Sequence, residues 1–119
     1  MAEANFRHGD PHMIDYTPTG GNVAAGQVVL CGNTTGLTCL VAHVGILNNR
    51  KGAMAAGGGV YEVINLNNAA NGAKLWWDDS ANKVTSVSTN NALFGYVASQ
   101  GGGGANSACY AMHKPYVNA

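Results

Sequence analysis

Glycine and asparagine interrupt this chain so often that no segment leaves room for a helix of ordinary length, about 10–14 residues. The 119 residues include 17 glycines and 14 asparagines, and both types accept the positive φ of tight turns. Between these interruptions lie short apolar stretches suited to strands, at residues 27–31, 37–47, 60–66, 74–77, 83–87, 93–98 and 108–117. Residues 37–47 are apolar on both alternating faces, as in a strand buried on two sides. Asn71-Gly72 is a tight-turn signal, and residues 78–82 read as the loop of a hairpin between 74–77 and 83–87. In residues 50–59 the alanines favour helix and the three glycines at 57–59 end it, which allows one short helical turn at most. About seven short strands and no long helix predict an all-β fold, a small sandwich or barrel.

Residues 1–18 contain Pro11 and Pro18 and show no useful periodicity. They read as an extended arm preceding a single β domain over residues 19–119. Six Lys+Arg balance six Asp+Glu, and only 10% of the residues are charged. No cationic footprint for nucleic acid can be built from so few charges. No apolar run reaches the roughly 20 residues of a membrane span, and the first residues lack a secretory leader pattern. The expectation is a soluble protein made in the cytoplasm, whose charge-poor surface favours assembly with copies or partners.

Several clusters invite a chemical reading. His8, Asp10 and His12 could be metal ligands, but an arm broken by Gly9 and Pro11 is not the rigid frame a metal needs. Cys31, Cys39 and His43 lack a Cys-x-x-Cys pair, so free thiols, buried in a core, are expected there and at Cys109. Asp78 and Asp79 suit turn hydrogen bonds better than an acid/base pair or a calcium loop. Gly101 to Gly104 lacks the Lys-Ser/Thr of a phosphate loop and reads as a flexible connection. No nucleophile–base set is apparent, so neither an enzyme nor a cofactor is expected. Trp76 and Trp77 must face opposite ways along a strand, one into the core and one toward a contact.

The order and spacing of several segments resemble the small capsid decoration, or cement, proteins of tailed phages. They are Gly21-Asn22-Val23-Ala24-Ala25-Gly26-Gln27-Val28-Val29-Leu30, Gly52-Ala53-Met54 and Gly58-Gly59-Val60-Tyr61, then Trp77-Asp78-Asp79-Ser80-Ala81-Asn82-Lys83-Val84-Thr85 and Phe94-Gly95-Tyr96-Val97. The hairpin followed by Phe-Gly-Tyr-Val is the most specific part. The chain departs from the usual pattern in a longer, Asn-rich stretch at residues 65–71 and in its Cys and His content.

The resemblance implies a non-enzymatic β-sandwich, β-tulip or jelly-roll-like body on the outside of a phage head. Its partner would be the major capsid protein of an HK97-like shell, whose neighbouring capsomers it would clamp after expansion. The resemblance also implies a symmetric homo-oligomer, a trimer in preference to a dimer. On this reading the arm anchors to the capsid through Phe6, Met13, Ile14 and Tyr16. Arg50, Lys51, Trp76 and Trp77 are further candidates for capsid or subunit contacts. The rival expectation is a glycan-binding adhesion module on the virion, using one of the tryptophans.

Overall fold

The computed structural model describes residues 3–33 and 36–115 and contains ten strands and no helix among them. They are β1 (Asn5–His8), β2 (His12–Tyr16), β3 (Val28–Asn33), β4 (Gly36–Ala42), β5 (Gly52–Gly57), β6 (Val60–Asn65), β7 (Lys74–Asp78), β8 (Lys83–Thr85), β9 (Ala92–Ser99) and β10 (Ser107–His113). Two antiparallel sheets pack together, one ordered β1-β6-β10-β9-β7-β8 and the other β2-β5-β4-β3. The larger sheet curls until β8 meets β6 through a parallel bridge, Asn65 to Val84, reinforced by Leu66 N–H to Val84 O at 2.8 Å. β1 takes the other end of the same β6 edge, pairing Asn5 with Glu62 and Phe6 with Tyr61.

Inside this curl lie Val63, Leu75, Trp77, Val84, Val97, Cys109 and Ala111, all essentially inaccessible. Cys39 and Val41 of β4 and Ala55 of β5 complete the same core from the smaller sheet. The opposite face of β4 and β5 presents Leu40, Ala42 and Met54 to a second, smaller core. Val23 and Ile46 cover it, bridged by N–H···O bonds of 2.8 Å in both directions. Strand β4 is therefore buried on both faces, as its doubly apolar pattern demands, but it stops at Ala42. Residues 43–51 turn away as a loop, with Val44 and Leu47 exposed.

Three strands escape a reading of the sequence by pattern. Residues 52–57, whose alanines predict one short helical turn at most, form β5 in the middle of the smaller sheet, between β2 and β4. Tertiary packing overrides the alanine preference for helix, because a central strand between two cores needs small side chains. Gly52 shows why: an added Cβ would lie 2.8 Å from Ile46 Cγ1. The other two, β1 and β2, lie in the segment expected as an arm. That segment is extended, but it does not project. Ala4 N–H donates to Gly26 O (2.9 Å), and Glu3 Oε1 accepts from Val28 N–H (3.0 Å). Residues 3–16 thus stitch the two sheets together along one side.

The Asn-rich stretch 65–71 and the glycine run 101–104 explain each other. Asn68 Oδ1 accepts from Gly104 N–H at 2.7 Å, and Asn71 Oδ1 accepts from Gly101 N–H at 2.8 Å. Buried Asn65 donates to Ala69 O and accepts from Asn67 N–H, and Asn67 also accepts from Thr85 Oγ1 and Ser86 N–H. The glycine loop expected to be merely flexible is held by side-chain amides. A Cβ at Gly101 would come within 2.8 Å of Ala69 O and Asn71 N.

Phe94-Gly95-Tyr96-Val97 also acquires a physical reason. Gly95 pairs with His113 of β10 on one side and with Leu75 of β7 on the other, beside a register shift between β7 and β9. A Cβ at Gly95 would sit 1.8 Å from Met112 O and 2.9 Å from Lys114 N. The two backbones approach so closely that only glycine fits.

Candidate functional site

The anchors expected on residues 6–16 fall on two sheet edges and do not behave alike. Strand β2 is the outermost strand of the smaller sheet, hydrogen-bonded among the described residues to β5 alone, with His12 to Asp15 all exposed. Met13 is 45% and Ile14 42% exposed, while Tyr16 is half-buried against the second core. Such an edge offers a row of backbone donors and acceptors beside apolar side chains, which is what an added strand requires.

Phe6, on β1, is 42% exposed but already engaged within the chain. Its ring lies 4.8 Å from that of His43 and meets Tyr61 edge-on at 5.5 Å. His43 Nε2 and the Tyr61 hydroxyl share a hydrogen bond of 2.6 Å. Burial lowers the His43 pKa and raises that of Tyr61, so both are neutral at pH 7. Tyr61 continues inward to His113, 5.6 Å away and edge-on, and His113 lies 4.9 Å from Phe94. His113 Nε2 donates to Cys39 O at 2.8 Å, whereas its Nδ1 is buried with no partner among the described residues. One chain of rings thus runs from the surface at β1 to the interior where the two sheets meet. Beside Phe6, a groove of about 310 Å³ is lined by Ala4, Asn5, Ala25, Gly26, Ala42 and His43.

The remaining candidates separate clearly. Trp77 is fully buried, its ring 6.2 Å from Phe94 and its Nε1–H donating to Asp79 Oδ1 at 3.2 Å. Trp76 is half-buried on the outer face of β7, so it is the tryptophan of the pair that can meet a partner. Arg50 and Lys51 are exposed in the loop before β5, and Lys51 Nζ lies 4.0 Å from Asp15 Oδ2 on β2. Both groups of that pair are largely solvated, so it contributes little to stability, but it places Lys51 on the edge that carries Met13 and Ile14.

The chemical clusters resolve into structure. Asp78 Oδ1 accepts from the Ser80 hydroxyl (2.7 Å) and from the amides of Ser80 (3.1 Å) and Ala81 (3.2 Å). These bonds, the Ser80 hydroxyl foremost, lower its pKa. Cys39 sits in the core, where burial foremost and then the Asp79 charge push its thiol up to about 12, and burial pushes Cys109 up to about 11. Cys31 departs from the expectation of buried thiols. It lies exposed on β3, the outer strand of its sheet, two residues beyond Val29, which still packs against the second core. Among the described residues, no three His, Cys, Asp or Glu side chains gather as a metal site would require.

No curated protein and no solved structure matches the chain. The family comparison does, over nearly the whole fold. The sequence profile of the phage cement proteins spans residues 7–111, from β1 through most of β10. The chain belongs to the phage cement protein family, and its role is that of a capsid-stabilising structural component of the virion.

Proposed function

We propose that this protein binds the outer surface of an HK97-like major capsid protein shell and clamps adjacent capsomers of the expanded, DNA-filled head. In this reading residues 1–18 are the binding segment, residues 19–119 are the body, and the protein is made in the cytoplasm of the bacterial host. The observation that carries the proposal is the β2 edge, where Met13 and Ile14 stand exposed beside an unpaired strand side. A capsid strand added there gains main-chain hydrogen bonds, and the two side chains supply apolar contact. Phe6, Tyr16, Arg50 and Lys51 flank it as secondary contacts. Several modest contacts on one rigid oligomer multiply through effective concentration, provided their spacing matches the expanded shell.

Emptied, expanded heads test this directly. Wild-type protein is expected to bind them saturably, and a Met13→Asp/Ile14→Asp variant at least about tenfold more weakly. Both positions are exposed, so the variant should keep the wild-type melting profile. Equal binding by the folded variant would refute the role of the β2 edge. Absence of saturable binding by the wild type would refute the capsid reading.

A further inference from the structure

Of the 14 asparagines in the chain, Asn71 alone is followed by glycine, and that pair is chemically the most reactive of the set. A backbone nitrogen can attack the side-chain amide of the asparagine before it, and glycine, with no Cβ, hinders the approach least. In the reaction Gly72 N bonds to Asn71 Cγ and the Cγ–Nδ2 bond breaks. Ammonia leaves, carrying the proton given up by Gly72 N. Water then opens the cyclic imide at one carbonyl or the other, to aspartate or to isoaspartate. Both residues are exposed, so water and base reach them. Nothing crowds the turn itself, since a Cβ on Gly72 would meet no atom within 4 Å.

The fold nevertheless occupies both reacting groups. Gly72 N–H donates to Val97 O of β9 at 2.7 Å, so the attacking nitrogen is held in a backbone hydrogen bond. Asn71 Oδ1 accepts from Gly101 N–H at 2.8 Å, which anchors the amide under attack to a loop 30 residues away. The side chain must leave that anchor to swing over the Gly72 nitrogen. The anchor depends in turn on the 101–104 loop, fastened to the same stretch by Gly102 N–H to Ala69 O (3.0 Å) and Gly104 N–H to Asn68 Oδ1 (2.7 Å). We infer that Asn71 is a site of spontaneous deamidation gated by opening of the 101–104 loop. While the loop is closed the pair is inert, and a local opening frees it to react. Isoaspartate routes the backbone through the former side chain, which lengthens the turn closed by Ala73 N–H to Ala70 O. It also adds a negative charge to a chain whose charges balance. The loop then no longer closes in its original register. A capsid-stabilising component of a virion is not replaced after assembly, so the change accumulates with the age of the particle. None of this depends on how the protein meets the capsid.

The test incubates the purified full chain at mildly alkaline pH, native or unfolded in guanidinium. Peptide mapping by mass spectrometry follows the amide-to-acid conversion at Asn71. The unfolded chain is expected to convert at least about tenfold faster than the native protein. Gly72→Ala, compared in the unfolded state where its fit to the turn is irrelevant, should slow conversion at least about tenfold, because the Cβ crowds the attacking nitrogen. Native Asn68→Ala, in which Gly104 N–H has lost its acceptor, should convert several-fold faster than native wild type. Circular dichroism checks that this variant is folded. Equal rates in native and unfolded wild type would overturn the gating, as would a folded Asn68→Ala variant that converts no faster than wild type. Absence of conversion at Asn71 in the unfolded chain, or an unchanged rate in unfolded Gly72→Ala, would overturn the site itself.

Discussion

Acidification should weaken this fold at one identifiable place. His113 is wholly buried at the junction of the two sheets, with Nε2–H donating to Cys39 O and Nδ1 facing no partner among the described residues. Only the neutral imidazole fits there, and burial foremost brings its pKa down from 6.5 to about 4. The nearby His43 lowers it further, against the Cys39 hydrogen bond, which raises it. Because the folded pKa lies below the unfolded one, the unfolded chain binds the proton first. Stability is then fully present above pH 6.5 and is lost as pH falls toward 4. A displacement of that size corresponds to about 3 kcal/mol between pH 7 and pH 4. That is a large share of the roughly 5–15 kcal/mol that holds a domain of this size.

Urea denaturation at pH 7 and pH 4 measures the loss, and a His113→Gln variant isolates it. Glutamine can still donate to Cys39 O, but it does not titrate. The variant is expected to start less stable at pH 7, through imperfect packing, and to lose about 3 kcal/mol less than the wild type on acidification. Its remaining loss comes from other groups, including His43, whose pKa is also lowered. Parallel pH profiles for the two proteins would refute the reasoning, because His113 would then not be the group that resists protonation.

Gly95→Ala should cost several kcal/mol or prevent folding, since the new Cβ meets backbone at 1.8 Å and no side chain can yield; urea midpoints or soluble yield would show it. Trp77→Ala should lose about 3–5 kcal/mol of unfolding free energy. The same change at half-buried Trp76 should cost clearly less, and equal losses would contradict the assigned orientation of the pair. Asn68→Ala removes the acceptor of Gly104 N–H and should cost about 1 kcal/mol. Hydrogen exchange at Gly104 should accelerate in the same variant, and unchanged exchange would mean that the amide does not hold the loop.

The chain's own letters determine the class of fold, because period-two apolar stretches separated by Gly and Asn can become short strands and little else. They also determine the 78–82 hairpin, whose Asp78 turn is local, and the two-sided burial of β4, whose faces are both apolar. What failed to show were strands whose reason is distant. Residues 52–57 read as helix-prone because their alanines say nothing of the two cores that squeeze β5 between them. Residues 5–8 and 12–16 carry too little periodicity to announce strands, and only the free edges of β6 and β5 give them a place. Trp76 and Trp77 are equivalent in sequence, and the direction in which β7 faces the core separates them. The role of Asn68 and Asn71 depends on glycines some 30 residues away. The proposed binding segment was legible as extended. That its exposed apolar residues line one edge while Phe6 is held inward by His43 and Tyr61 follows from long-range pairing, which no local pattern encodes.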